Sequence, residues 1–374
     1  MLKKWSDVLT IVSGKNQKAV EDSNGQYPIY GSGGIMGYAS SYLCDAGTTI
    51  IGRKGTINSP IFVNEPFWNV DTAFGISPGN ELHPKYLYYF CCFFNFKELD
   101  KSTTIPSLAK RDLLQIQMPV PSISEQDRIV SKIEELFSKL DASVAELQAA
   151  KQKLKVYRQA VLKEALEGDY PCVRLKEIAT AFSGYAFKSK KYSSDGRYVV
   201  VKIGNVKPFR FDFSRDLTKT SEIDDNILNK YLLKKGDCLI TMTGSRGKRD
   251  YGYVAMIEDQ DNYLLNQRVS ALRFNDSVAL PKFYEYVLSS PQYRNQFFSY
   301  ETGNVGQGNV GIKALTEPTV ICPTLKTQEA IIQSIEFRLS LCDSIEQSID
   351  TSLRQAEALR QSILKQAFEG ALAT

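Results

Sequence analysis

Between residues 124 and 167 the apolar side chains recur at steps of three, four and seven: Ile133, Phe137, Leu140, Val144, Leu147, Leu154, Val161 and Ala165. Such spacing puts one continuous apolar seam on a helix, here interrupted by Lys151 and Arg158. Ser124 is the expected N-cap, with Asp127 at the third helical position, and Gly168 the expected stop. A second stretch repeats the pattern with Ile335, Leu339, Cys342, Ile349, Leu353, Ala356, Ile363 and Ala367. A helix of about 44 residues spans about 65 Å at ~1.5 Å per residue, too long for the surface of one globular core. Neither helix can bury its seam alone, so the two are predicted to pair with each other.

Elsewhere the pattern changes. TTIIGRKG, YVVVKIGNV, DCLITMTG, YGYVAMI and RVSALRF are short apolar runs bounded by glycine turns, and read as strands. HPKYLYYFCCFF and LPKFYEYVLSSP each place a proline where a short helix begins. The expected fold class is α+β. Two mixed β-rich domains, 1–122 and 169–324, are separated by two long helices, 123–168 and 325–374, which pair as an antiparallel coiled coil with a pseudo-twofold.

The pseudo-twofold rests on an internal duplication. KVYRQAVLKEALEG, ending at Gly168, matches EALRQSILKQAFEG, ending at Gly370, an offset of 202. The offset holds without a gap back through Asp141 and Asp343, Glu134 and Glu336, and Gln126 and Gln328, as far as PVPSISEQ and ICPTLKTQ. Upstream the match is looser. Gly14 and Gly184 are 170 apart, whereas Pro84 and Pro281 are 197 apart. The β halves have therefore drifted by insertion while the helical halves kept their length. Paired antiparallel, such helices would set two domains apart like two readers of a two-fold duplex.

Composition narrows the class. The 374-residue chain is 43% hydrophobic and 24% charged, which suits two or three soluble domains. No run is apolar enough for a membrane span, and MLKKWSDVLT does not read as a signal peptide. Seven cysteines without a C-x-x-C pair suit a reduced, cytoplasmic setting. A net charge of +4 announces no nucleic-acid binder, so any basic surface must be local.

Catalytic motifs are missing. His83 is the only histidine, and no cysteine set accompanies it at zinc spacing, so no metal site is expected. TGSRGKR (243–249) has the wrong spacing for a phosphate loop. The chain holds no acidic-x-Lys triplet of the nuclease kind and no Asn/Asp-Pro-Pro-aromatic motif of amino-methyltransferases. GQGNVG (306–311) has dinucleotide-loop spacing but leads into a turn and a proline-containing extended segment.

Local basic clusters are present. Eight Lys or Arg and two Asp lie between Ser183 and Arg215, including Lys188, Lys190, Lys191, Lys207 and Arg210. A second cluster surrounds Thr243, Ser245, Arg246, Lys248 and Arg249, and Arg268 follows in LLNQRVS. In the first half, Lys15 and the IGRKGT segment with Arg53, Lys54 and Thr56 are the counterparts. Small residues let backbone approach phosphate, and flanking cations neutralise it. Asn58, Asn205, Asn266, Gln267 and Arg268 carry side chains able to read base edges. Tyr30, Tyr38, Tyr185, Tyr251 and Tyr253 are expected in core or turn packing.

These features together resemble the specificity (S) subunits of Type I restriction-modification enzymes. The resemblance lies in YPIYGSGGIMGY, IGRKG, FWNVDTAFGI and TTIPSLAKRDLLQIQMPVPSISEQDRIV in the first half. In the second it lies in SGYAFKSKKY, IGNV, LKKGDCLITMTGSRGK, LLNQRVSALRF and GNVGQGNVGIKAL. It spans essentially the whole chain. It implies one target recognition domain per half, each binding part of a split double-stranded DNA site. It also implies that Ile133, Phe137, Leu140, Val144, Leu147, Leu154, Val161, Ile335, Leu339, Ile349, Leu353 and Ile363 serve helix pairing and subunit docking. Two methyltransferase (modification) subunits would dock there and carry S-adenosylmethionine. Restriction subunits would join with ATP and Mg, leaving this chain non-catalytic, with no cofactor of its own. An adaptor for a methyltransferase without a restriction partner would have the same sequence features, and a coiled-coil scaffold for proteins is the remaining reading.

Overall fold

The structure, a computed structural model, describes residues 1–259, 262–303 and 306–372. Asn304 and Val305 of the GNVGQGNVG segment lie outside these. The chain forms two compact units, Met1–Ala150 with Ser348–Thr374, and Lys151–Gln347. The long helices, Ile123–Ala165 and Leu325–Phe368, are each divided between the two units.

In the first unit a four-stranded antiparallel sheet has the order Leu9–Ser13, Ala73–Pro78, Thr48–Gly52, Ile61–Val63. Its central strand Thr48–Gly52 is buried at every position, which is why TTIIG reads as a continuous run rather than an alternating one. Helix Pro84–Phe93 packs on this sheet, and Trp5, Ile51, Ile76, Leu87 and Phe90 share one core. A smaller sheet joins Gly34–Ala39, Tyr27–Gly31 and Trp68–Asn69, the last pair parallel.

The second unit repeats the plan. Its antiparallel sheet has the order Ala179–Ser183, Val269–Phe274, Cys238–Thr241, Val254–Met256, with helix Pro281–Ser289 against it. A parallel pair again occurs in the smaller sheet, between Tyr198–Val201 and Tyr263–Leu265. Additional pieces account for the drift in length: hairpin Val206–Lys207/Arg210–Phe211, helix Asp225–Tyr231, helix Pro291–Ser299, and a small sheet of Thr243–Ser245, Gln307–Val310 and Glu301–Thr302. GQGNVG is thus largely a strand, not a phosphate loop. The repeated glycines 14 and 184 have one cause. A Cβ on Gly14 would lie 1.8 Å from the Val70 carbonyl oxygen, and one on Gly184 2.1 Å from that of Asn266.

In each unit the first strand pairs with the strand leading into a long helix, Leu2–Lys4 with Gln117–Pro119 and Cys172–Arg174 with Thr319–Ile321. The cap of the first long helix differs from the expectation. Ser122, not Ser124, accepts from the Glu125 amide (3.3 Å), and its offset partner Thr324 accepts from the Thr327 amide (3.3 Å). The helix begins one residue before Ser124, whose side chain is exposed in the first turn. At the other ends only Gly370 adopts a left-handed conformation (φ 77°). The first helix tightens instead through Leu166 and Glu167 amides bonding to the Lys163 and Glu164 carbonyls.

Two buried glutamines lock the helix starts. Gln126 accepts from the His83 amide (2.8 Å) and donates to the Glu81 and Pro121 carbonyls (2.8 and 2.9 Å). Gln328 does the same with the Leu280 amide (2.8 Å) and the Val278 and Pro323 carbonyls (2.9 and 2.8 Å). Each glutamine satisfies one amide and two carbonyls in the segments that lead into the short and long helices.

Within each unit the long helices run antiparallel. In the first, Asp141 pairs with Arg360, whose guanidinium lies 4.3 Å over the Phe137 ring, and Ile133 shares a core with Ile363 and Leu364. In the second, Lys151 meets Glu346, Arg158 meets Asp343 and Glu346, and Arg338 meets Glu164. Ile133, Phe137, Val161, Ile335, Cys342, Ile349, Ile363 and Ala367 are buried. Leu140, Val144, Leu147, Leu154, Ala165, Leu339, Leu353 and Ala356 are half-buried.

Candidate nucleic-acid interface

The second unit gathers four of the basic-loop residues around one cleft. Lys207, Thr243, Ser245 and Arg268 line an open cavity of about 420 Å³ with Gly204, Tyr253 and Gln307. Asn205 lies beneath it rather than in it. It is buried, accepts from the Lys202 amide (2.9 Å), and donates to the Asp212 and Asp216 carbonyls (3.1 and 2.7 Å). Its side-chain amide is committed to backbone groups across the Lys202–Asp216 loop, which leaves no free donor for a base edge.

The loop at 245–252 is built to hold its shape. Arg249 is left-handed (φ 48°), as are Gly247 and Gly252. Asp250 accepts from the Ser245 amide (2.6 Å) and hydroxyl (2.9 Å), and these bonds hold its carboxyl below the usual range. Arg294 donates to the carbonyls of Gly252, Arg249 and Tyr251 from the Pro291–Ser299 helix. Burial lowers its pKa from the ordinary guanidinium value. Arg246 donates to the Gly303 carbonyl (2.8 Å), and Arg249 lies 4.9 Å over the Phe298 ring. Lys248 and Arg210 project into solvent.

Lys188 and Lys191 belong elsewhere. They line a separate cavity of about 140 Å³ with Tyr185, Phe187, Thr220 and Asp224, and Lys191 stands 3.9 Å from Glu222. Lys190 is exposed in the same turn. The exposed Gln267 and half-buried Asn266 precede Arg268.

In the first unit the basic segment is tied down differently. The Arg53 and Lys54 amides both bond to the Thr72 carbonyl, and the Gly55 amide to that of Pro106. Arg53 is half-buried, 5.7 Å over the Phe74 ring. Thr56 and Asn58 line a cavity of about 400 Å³ with Gly55, Lys97 and Asp100, while Asn58 Oδ1 accepts from the Phe96 amide (2.7 Å). Lys15 and Lys54 are exposed, and the Lys15 carbonyl takes the Trp68 indole N–H (3.0 Å). Of the five tyrosines, Tyr251 is fully buried and Tyr38 is exposed.

Three contributors went unread in the sequence. Gln307 was hidden inside a glycine motif that resembles another chemistry. Lys97 has no glycine beside it, and Arg294 sits on a helix whose contact with the basic loop is purely tertiary.

A wider cleft of about 620 Å³ in the first unit is lined by Glu134, Ser138, Asp141, Arg360, Gln361 and Leu364, with Tyr88 and Tyr89. The offset of 202 converts these six helix residues into Glu336, Ser340, Asp343, Arg158, Gln159 and Leu162, identical at every position, whereas Phe137, which lines the same cleft, becomes Leu339.

The Type I restriction modification DNA specificity domain family matches residues 1–152 and 167–355, so both copies of the duplication are covered. The chain belongs to that family. It is 26% identical over 275 residues to the EcoKI specificity subunit of Escherichia coli K12, a match covering 69% of this chain and 58% of that protein. To the EcoBI specificity subunit of Escherichia coli it is 23% identical, covering 86% and 73%. Its fold is that of the HsdS subunit from Thermoanaerobacter tengcongensis, with a TM-score of 0.59 at 17% identity, covering 100% and 97%. A chain from a solved type I R-M system gives a TM-score of 0.73 at 17% identity, covering 100% and 98%. Among the described residues no helix is long and apolar enough to cross a membrane, and no group of His, Cys, Asp and Glu could hold a metal ion.

Proposed function

We propose that this chain is the non-catalytic, sequence-reading subunit of a Type I restriction-modification complex, each unit reading one half of a split DNA site. The observation that carries this reading is the contrast between shared scaffold and unlike loops. Both units have the same sheet order and the same glutamine lock, yet they present different polar loops. A common frame with variable loops is what two readers of different short sequences require.

In the second unit Lys207 would hold phosphate, and Arg268 and Gln307, which line the same cleft, would read base edges. Thr56, Asn58 and Lys97 would serve in the first unit, with Lys15, Arg53 and Lys54 around them. Lys188, Lys190, Lys191, Arg210, Arg246, Lys248 and Arg249 would supply longer-range attraction. The six-residue helical surface that occurs twice fits two copies of one partner, a methyltransferase subunit carrying S-adenosylmethionine. Restriction subunits with ATP and Mg would complete the complex, placing all of it in the cytoplasm.

Genome-wide methylation mapping tests the proposal in cells carrying this chain and its partner subunits. Methylation at one split motif is expected. Inserting matched helical turns into both long helices should change the gap and leave both half-sites alone. New half-sites, or methylation without a split motif, would overturn the reading.

A further inference from the structure

The two units share one contact between the long helices, Asp141 with Arg360 and Asp343 with Arg158, but differ at other places where the helices meet. In the second unit Lys151 stands 3.7 Å from Glu346 across the seam, and Arg158 reaches the same carboxylate at 3.0 Å. The offset positions in the first unit hold Leu353 and Val144, both half-buried. In the second unit Arg338 bonds to Glu164 (2.9 Å) and lies 5.4 Å over the Tyr157 ring. The first unit has Leu136, Gln366 and Leu359 at those positions. The ends differ as well. Phe368 packs its ring 5.1, 5.3 and 5.5 Å from those of Tyr86, Phe90 and Phe93. Its offset partner Leu166 lies beside Val287 and Ser290, the counterparts of Phe90 and Phe93 at the offset of 197.

At each of these places the difference on one helix is matched by a difference on what it touches. Two first copies facing each other would set Lys151 against Val144 and Glu164 against Leu136. They would also put a leucine into the aromatic site that Phe368 fills. Two second copies would set Glu346 against Leu353 and Arg338 against Gln366. Each like-with-like pairing sets one half-buried charge, Lys151 or Glu346, opposite an apolar side chain, which costs more than losing the ion pair alone, and it also removes the more exposed Arg338–Glu164 pair. We propose that these matched differences form a pairing code by which each long helix accepts the other copy and rejects its own. Polar residues at single seam positions fix the partner in the same way in other coiled coils. A chain whose halves cannot pair with themselves keeps two unlike reading units joined in one molecule.

The test is a full-length chimera in which residues 325–368 are replaced by the sequence of residues 123–166, a segment of equal length in gapless register. Thermal unfolding followed by circular dichroism and limited proteolysis of the long helices report the pairing. The midpoint is expected to fall by roughly 5–10 °C, with cleavage appearing within the helices. A second chimera keeps only the native residues Arg338, Glu346, Leu353, Gln366 and Phe368, and is expected to recover most of the loss. If the first chimera fails to fold, recovery in the second still supports the code. A first chimera as stable as the wild type, or a second no better than the first, would overturn it. A matching cycle uses Glu346→Val alone and with Lys151→Leu, and expects the double variant to melt above the single one. These readouts need no DNA, so they stand apart from the reading of the recognition loops.

Discussion

Gln126 and Gln328 make the same three hydrogen bonds in the two units, whereas the basic loops of those units are held by unrelated means. The 245–252 loop is clamped by Arg294 and Asp250 and opens onto a cleft. The 52–58 segment is fastened backbone to backbone on Thr72 and Pro106, with Arg53 leaning on Phe74. Positions that must fit two helices together tolerate little change, because a buried polar group without its partner costs about 1–3 kcal/mol. Loops answer only to local turn chemistry and to a ligand, so they diverge freely.

The contrast can be pushed hardest by exchanging whole regions. Replacing residues 1–122 with the matching domain of another family member should rewrite one half-site completely and leave the other intact in a methylation map. A change in both halves would mean that the units do not read independently.

Next in size is the glutamine lock. Gln328→Ala leaves two carbonyls and one amide unpaired in a buried site, and should cost roughly 3 kcal/mol in denaturant unfolding. Gln126→Ala should cost about the same, because the bonding is the same. Unequal losses would show that the two helix starts are less alike than their geometry.

The loops should separate by role. Arg268→Ala is expected to weaken binding by about 1–3 kcal/mol and relax preference at one position of the second half-site. Lys207→Ala should weaken all sequences uniformly and reduce the salt slope by about one. Binding isotherms at several salt concentrations check both.

The smallest effect concerns Asp250. Its carboxyl is held below the usual range by the Ser245 amide and hydroxyl. A lowered folded-state pKa means that the stabilisation is fully present above the ordinary carboxylate value. It disappears only as the pH falls through the lowered one. Protease sensitivity of the 245–252 loop should therefore be flat from neutral pH down to about pH 4 and rise below it. In Asp250→Asn the loop should be sensitive throughout.

Much of this architecture is legible in the amino-acid sequence. The heptad spacing located both long helices, and the prolines at 84 and 281 marked the short ones. The apolar runs from TTIIG to VSALRF all became strands. Ser124 was misread as the cap because serines at 122 and 124 offer the same chemistry, and only backbone geometry selects between them. Which of the five candidate base readers are free to act was not legible, because an asparagine that folds a loop, as Asn205 does, looks the same in sequence as one that reads a base.

Periodicity and duplication by themselves determined the two helices, their nearly equal length and the doubled plan, since those follow from side-chain spacing along one chain. Lys151 and Arg158 looked like interruptions of an apolar seam. Only the tertiary structure supplied Glu346 and Asp343 opposite them, and with those partners turned interruption into specificity. It alone also separated Lys188 and Lys191 from the cleft of Lys207 and Arg268. An ion pair or a binding cleft is made of residues distant in sequence, and no local pattern records which of them meet.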